Sequence, residues 1–400
     1  MILFKKIYCR TFQFIMKIAI PFLPYRKPII LEKQEEVLNV LKEKNIENIL
    51  IVTDKGIVNA KLLVHLLDVL NNNINAFIYD STISNPLDTN VEEALKIYKD
   101  NDCKAIIAVG GGSVIDVAKI VGARVVKPNK SIEEMKGLLH IRKKIPLLIA
   151  IPTTAGTGSE VTVTSVITDS KTHNKYTIND FSLIPHYAVL DYNLTLNLPS
   201  YITSITGMDA LTHAVEAFIG KTRTKETKKM SLEACKLIVE NLEKCYDNPF
   251  DIEARKNMLY ASHYAGIAFT KSYVGYIHAI AHTLGGKYNI PHGLANAVIL
   301  PIMLEVYGSS IYKKLAKISR YSLIANENDS DEVASKKFIE WIYNINKKMK
   351  IPLNINEIKE EDIYSMSLLA DKEANPLYPV PRLMNAKELF NVYLIIKNKD

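Results

Sequence analysis

Two histidines four residues apart, His278 and His282, stand in the apolar run Gly275-Tyr-Ile-His-Ala-Ile-Ala-His-Thr-Leu-Gly-Gly286. Such a run reads as a buried helix, and its period puts both rings on one face. Gly285 and Gly286 are expected to end that helix. Pro291-His292-Gly293 then offers a third imidazole, between a stiff residue and a permissive one. Upstream, Met208-Asp-Ala-Leu-Thr-His213 supplies a carboxylate and an imidazole at the same one-turn spacing. Asp209, His213, His278 and His292 together make a carboxylate-plus-three-imidazole site for a divalent cation. His282, one turn from a ligand, is left to handle protons. A lone histidine on an apolar helix is more often a satisfied core residue. Two such pairs plus His-Gly within about 85 residues make that reading harder to hold.

Two glycine- and hydroxyl-rich stretches could hold a nucleotide. In Gly110-Gly-Gly-Ser-Val-Ile-Asp-Val-Ala-Lys119 the glycines follow a strand-like run and precede a helical one. Backbone at Gly110, Gly111 and Gly112 can come close to a phosphate, and the N–H groups of the following helix favour its charge. Ser113 is placed to cap that helix or bond a phosphate oxygen. A tight turn with a capped helix would look the same. The second stretch is Pro152-Thr-Thr-Ala-Gly-Thr-Gly-Ser-Glu-Val-Thr162. Thr153, Thr154 and Thr162 offer hydroxyls while Gly156 and Gly158 permit close approach, although a polar surface loop has a similar composition. Asp54 falls just after the first strand-like run, where an acidic residue bonds ribose hydroxyls and repels a 2′-phosphate, favouring NAD over NADP. Many such residues simply make turns.

Strands and helices must position these groups. Asn48–Thr53, Ile74–Tyr79, Lys104–Val109 and Leu147–Ile151 are short, nearly continuous apolar runs separated by amphipathic stretches such as Val58–Leu70 and Val91–Asp100. That alternation predicts a parallel sheet covered on both faces, with Val163–Thr168 and Tyr187–Leu190 as further strands at its edge. After Pro199 the strand signal stops and helices are expected to the end of the chain. The expected organisation is an extension over residues 1–28, an α/β dinucleotide-binding domain over 29–198 and an all-helical metal-binding catalytic domain over 199–400.

The chain has 400 residues, 48% of them hydrophobic, which is enough for two domains with sizeable cores. The formal charge of +7 is spread along it with no basic stripe interleaved with exposed aromatics, so nucleic acid is not an expected partner. Cys9, Cys103, Cys235 and Cys245 form no Cys-x-x-Cys pair, and Cys103 and Cys235, in apolar runs, read as buried thiols in a reducing compartment. Residues 1–24 mix Lys5, Lys6, Arg10 and Lys17 with apolar residues; the uncharged run Ile18–Pro24 is too short to span a membrane. An amphipathic segment packed on the body or on a partner subunit is expected there, with peripheral membrane contact as a lesser role. The cytoplasm is the expected location.

From about residue 30 onward the sequence resembles the iron-containing (group III) alcohol dehydrogenase family. The resemblance rests on GGGSVIDVAK, PTTAGTGSEVT, GMDALTHAVEA and GYIHAIAHTLGGKYNIPHGLANA, in the family's order. It implies a dehydroquinate-synthase-like architecture and an NAD-dependent dehydrogenase or aldehyde reductase acting on small alcohols, diols or aldehydes. It implies Fe²⁺, or sometimes Zn²⁺, on Asp209, His213, His278 and His292, with His282 near substrate and nicotinamide. It adds Asp116, Asn85 and Lys175 to the nucleotide contacts and implies at least a homodimer. Lys271 stands where many members carry a neutral residue. The rival reading is a metal- and NAD-using lyase or cyclase of the dehydroquinate-synthase type, which needs several cations near the metal to hold a sugar phosphate. Only Lys271 and Lys287 are close to the ligands in sequence.

Overall fold

The computed structural model describes residues 3–71, 73–172 and 174–399; Met1, Ile2 and Asp400, which bound the expected extension and helical domain, lie outside the described residues, as does His173. The chain divides into two compact units, Pro24–Asn197 and Leu198–Asp400 with Met1–Leu23. The N-terminal helix α1 (Leu3–Ala19) therefore belongs with the helical unit.

The Pro24–Asn197 unit is built on strands β1 (Ile29–Leu31), β2 (Asn48–Val52), β3 (Asn75–Tyr79), β4 (Ala105–Gly110), β5 (Gly137–Leu138), β6 (Leu147–Pro152), β7 (Thr164–Thr168), β8 (Lys175–Asn179) and β9 (Tyr187–Val189). Six of them form one parallel sheet in the order β1-β9-β6-β4-β2-β3. Its helices are α2 (Glu35–Glu43), α3 (Lys55–Asn59), α4 (Val64–Leu70), α5 (Asp88–Asp100) and α6 (Gly112–Val126). Alternate strand residues point to opposite faces. Leu50, Ile106, Leu148 and Ala150 pack with α5 and α6, while Ile49, Ile51, Ile107 and Ile149 pack with α2 and α4. Burial on both faces explains why the strands read as unbroken apolar runs.

Three local expectations change. The run Val58–Leu70 is not one helix: Lys61 takes a left-handed conformation (φ 57°) and separates α3 from α4. β9 is not an edge strand but sits between β1 and β6. β7 leaves the main sheet altogether and pairs antiparallel with β8, which the periodicity did not mark.

The other unit continues with α7 (Ser200–Ile219), α8 (Lys225–Asp247), α9 (Ile252–Ser272), α10 (Tyr276–Tyr288), α11 (His292–Tyr307), α12 (Tyr312–Tyr321), α13 (Asp331–Lys348), α14 (Glu360–Ala374) and α15 (Ala386–Asn398). Side chains of Thr224, Asp251, Ser330 and Asn385 cap α8, α9, α13 and α15 by accepting backbone N–H bonds. α7, α10 and α11 are largely buried, and Asp209, His213, Glu216 and His278 lie inside protein. α10 runs through Gly285 and Gly286 and stops at Asn289, which is left-handed (φ 56°) two residues before Pro291. α11 is long and apolar enough to cross a membrane, yet most of it is buried in this unit and it carries His292.

Candidate functional site

In the helical unit, Asp209 and His213 lie one turn apart on α7, His278 is on α10 and His292 opens α11. Each offers one ligand atom, and the four atoms lie within 4.8 Å of one another. Asp209 Oδ1 is 4.0 Å from His213 Nδ1, 3.8 Å from His278 Nε2 and 3.5 Å from His292 Nε2. Donors held at about 2.1 Å around a tetrahedral cation stand roughly 3.4 Å apart, so the set fits a divalent metal after a small contraction. Asp209, His213 and His278 are buried, while the His292 side chain is 40% exposed and gives the cluster its open side.

Close approach of the backbones brings these groups together. A Cβ at Gly293 would stand 2.3 Å from the Ile205 carbonyl oxygen, so only glycine lets the start of α11 lie against α7 with His292 in reach of Asp209. The His213 ring stacks on Phe269 at 4.0 Å and on His278 at 4.5 Å between centroids. Asn296, one turn beyond His292, donates from its amide to Asp209 Oδ1 at 2.7 Å and approaches His292 Nε2 at 3.1 Å.

The remaining nitrogen of His278 is held by Glu216. His278 Nδ1 donates to Glu216 Oε2 at 2.6 Å, and the carboxylate also accepts from the N–H groups of Gly275 and Ile277. Glu216 thus sits at the N-terminus of α10, where free amides and the helix dipole favour a negative charge. Burial pushes the Glu216 carboxyl up to about 7, against the pull of those donors. Burial, then His213, His292 and His282, hold His278 well below the ordinary imidazole range, so it is neutral as a metal ligand must be.

His282 lies on the next turn of α10, with its ring stacked 5.2 Å from that of His292. Its Nδ1 is 2.6 Å from Glu373 Oε1 of α14, which also accepts from the Tyr378 hydroxyl at 2.8 Å. Burial acts to raise the Glu373 pKa, but the His282 charge and these bonds outweigh it and hold the group below its usual value. Glu216, Glu373, Tyr378 and Asn296 did not emerge from the sequence. Glu216 carried a signal: at three residues past His213 and seven past Asp209 it shares their helix face.

In the other unit, Asp54, Asn85, the Gly110–Gly112 loop and the Thr153–Thr154 loop all follow the carboxyl ends of adjacent strands, β2, β3, β4 and β6. That edge is where open parallel sheets bind ligands. Thr153 N–H donates to the Gly110 carbonyl at 3.1 Å, so the two loops lie side by side. Gly111, not Ser113, takes the N-cap position of α6, because the glycine run enters the helix two residues early; Ser113 lies in its first turn. Asp54 accepts from Ile57 N–H at 2.9 Å and caps α3. Lys175 Nζ donates to Asn85 Oδ1 at 2.7 Å, which joins two of the expected nucleotide contacts. Asp116 and Thr162 are engaged inside the fold. Asp116 accepts from Ser159 Oγ and Val166 N–H, and Thr162 Oγ1 accepts from the buried Lys119 at 2.8 Å. Lys119 also reaches Ser159 and the Thr164 carbonyl, so one ammonium braces the second loop from beneath.

Three imidazoles and one carboxylate, without thiolate and with an open side, characterise a catalytic rather than a structural metal centre. A parallel sheet with glycine loops at its carboxyl edge is a nucleotide-binding build, so the class is a metal-dependent, nucleotide-linked enzyme. Comparison with known proteins narrows this. The model of the iron-containing alcohol dehydrogenase family matches residues 29–192, and that of the family's C-terminal part matches residues 203–396. The chain is 35% identical over 352 residues to a 1,3-propanediol dehydrogenase of Citrobacter freundii, covering 86% of this chain and 90% of that one. It is 35% identical over 335 residues to an NAD-dependent methanol dehydrogenase of Bacillus methanolicus, covering 82% and 87%. The crystal structure of a 1,3-propanediol oxidoreductase superposes with a TM-score of 0.87 at 33% identity, over 92% of this chain and 98% of that one. The chain belongs to the iron-containing alcohol dehydrogenase family, whose members are oxidoreductases that use a nicotinamide nucleotide and a metal.

Proposed function

We propose that this dehydrogenase interconverts small primary alcohols or diols and their aldehydes with NAD, and that Asp209, His213, His278 and His292 hold its divalent cation, Fe²⁺ or Zn²⁺. The observation that carries the reading is the convergence of those four ligand atoms within 4.8 Å. When bound, the cation supplies a Lewis acid for the substrate oxygen and the nicotinamide supplies the hydride acceptor or donor. The chain's own residues do the rest. Glu216 fixes the His278 tautomer by taking its Nδ1 proton in a hydrogen bond, which leaves Nε2 as the ligand atom. His282, aligned by Glu373 and Tyr378, takes up or returns the hydroxyl proton and passes it to solvent through its half-exposed ring.

The Pro24–Asn197 unit is proposed as the NAD domain. Gly110, Gly111, Gly112 and Ser113 hold the pyrophosphate, Thr153 and Thr154 the nicotinamide half, and Asp54 the ribose. Asn85 and Lys175 act as one bonded pair on the nucleotide, and Asp116 and Thr162 contribute by bracing the loops that touch it. The enzyme works as a homodimer or larger homo-oligomer in the cytoplasm.

Lys271 is paired with Glu226 at 2.6 Å and Lys287 with Asp362 at 2.9 Å, which neutralises the two cations a sugar phosphate would need. This weighs against the lyase reading, and the comparisons give it no support. The test is anaerobic loading with Fe²⁺ followed by NADH oxidation with short aldehydes and hydroxyaldehydes. Metal-dependent turnover supports the proposal; bound metal and NADH with no turnover on any carbonyl would overturn it.

A further inference from the structure

α1 is amphipathic in the reverse of the usual sense. Its inward stripe is polar and small: Cys9 and Gln13 are buried, Lys5 pairs with Asp371 at 2.9 Å, Arg10 donates to the carbonyls of Val380 and Pro381, and Gln13 donates to those of Pro376 and Tyr378. Its outward stripe is apolar, with Phe4 83%, Phe14 62%, Ile15 59% and Ile18 55% exposed, and Leu3, Ile7 and Tyr8 exposed beside them. Just past the helix, Phe22 is 84% exposed. At 100° per residue these side chains share one face opposite Cys9 and Gln13. Single exposed apolar residues are ordinary, but a continuous aromatic and aliphatic stripe marks an interaction surface.

The charge carried by α1 itself has one sign. The helix contains Lys5, Lys6, Arg10 and Lys17 and no acidic residue. Lys6 and Lys17 lie along one flank of α1, beside the inward-bonded Arg10. Around that flank the helical unit adds further cations. Lys314 donates to the carbonyls of Ile219 and Gly220 and stands within electrostatic reach of Arg10, Lys221, Arg223 and Lys228. Lys228 in turn feels Arg223, Lys317 and Lys17.

We propose that α1 is a peripheral membrane-docking element, its apolar face entering the headgroup–acyl boundary of an anionic phospholipid bilayer while Lys6 and Lys17 on its flank meet the lipid phosphates. A basic helix with exposed aromatics and no acidic residue suits that surface. A second copy is the poorer occupant. Antiparallel two-fold pairing of the stripe would bring both basic flanks to the same edge, with no carboxylate in this segment to answer them. The polar bonds that hold the inner face leave the apolar face displayed on a folded enzyme.

The test uses the full chain, sedimented with vesicles of phosphatidylcholine alone or mixed with phosphatidylglycerol, beside light scattering without lipid. The wild type is expected to sediment with the anionic vesicles only and to be released at high salt. Phe14→Glu with Ile18→Glu is expected to abolish binding, and Lys17→Glu to weaken it at least about fivefold, each with NADH oxidation and melting temperature unchanged. A folded, active wild type that ignores anionic vesicles would overturn the proposal. So would an apolar-face variant that keeps its vesicle binding, or one that only splits a larger assembly of the chain into a smaller one.

Discussion

Glu216 Oε2 lies 2.6 Å from His278 Nδ1, and both residues are almost completely buried. Gly275 makes this contact possible: a Cβ there would stand 2.5 Å from Glu216 Oε1. A carboxylate on α7 thereby sets the tautomer and orientation of His278, a proposed ligand on α10, while satisfying two amides of that helix. Carboxylates in this position typically contribute 10- to 100-fold in metal affinity. Glu216→Gln is therefore expected to weaken metal binding by about that factor, with KM for NADH unchanged. Competition with a chelator measures it; wild-type metal affinity in a folded variant would show that Glu216 serves only the α10 amides.

Glu373 should act through His282 and not through the metal. Glu373→Ala removes the Nδ1 partner of His282 and strands the Tyr378 hydroxyl, so kcat should fall about tenfold or more while metal content stays stoichiometric. The pH profile of kcat should shift to lower pH, because a carboxylate beside an imidazole favours its charged form and its removal lowers the pKa. An unchanged profile with lowered kcat would make Glu373 a structural residue only.

Asp54 caps α3, and its proposed second task, at the ribose, is separable from the first. Asp54→Asn keeps an oxygen for the Ile57 N–H bond that caps α3 but removes the charge that repels a 2′-phosphate. The ratio of kcat/KM for NADPH over NADH should rise about tenfold, the size expected when one like-charge contact is removed. If the ratio does not move, Asp54 only caps the helix.

A pH effect on stability is expected from His186 in the α/β unit. Leu148 N–H donates to its Nδ1 at 3.1 Å, which requires the neutral ring. Burial, then Arg26, Lys144 and Lys44, push its pKa down to about 4. Between pH 6.5 and 4 the unfolded chain binds a proton that the folded one refuses, so stability falls as pH falls through that window. At pH 5 the loss is about 1 kcal/mol after discounting for the partly exposed ring. Melting temperatures at pH 7 and 5 should differ less in His186→Gln than in the wild type; equal differences would contradict this.

The grouping of Asp209, His213, His278 and His292 and the parallel core were legible because each rests on a local pattern. Asp209 and His213 share a turn, His278 and His282 share another, and β2, β4 and β6 are unbroken apolar runs. What escaped depends on contacts distant in sequence. Glu373 reaches His282 across 91 positions, and β9 finds its place between β1 and β6 only through pairing partners more than 30 residues away. α10 was read as too short because glycine usually interrupts helices; buried between neighbours it is tolerated, and Asn289 ends the helix instead. Lys119 could have been noticed as a lone lysine in an apolar helix, a residue that must find buried acceptors.

The ligand set is tested most directly by measuring metal content and NADH binding side by side in the wild type and in His292→Ala after anaerobic loading with Fe²⁺. The wild type should retain about one cation per chain. His292→Ala should lose the cation and its turnover on aldehydes while binding NADH nearly as tightly. If His292→Ala kept stoichiometric metal and activity, the assignment of His292, and with it the four-residue metal centre, would be wrong.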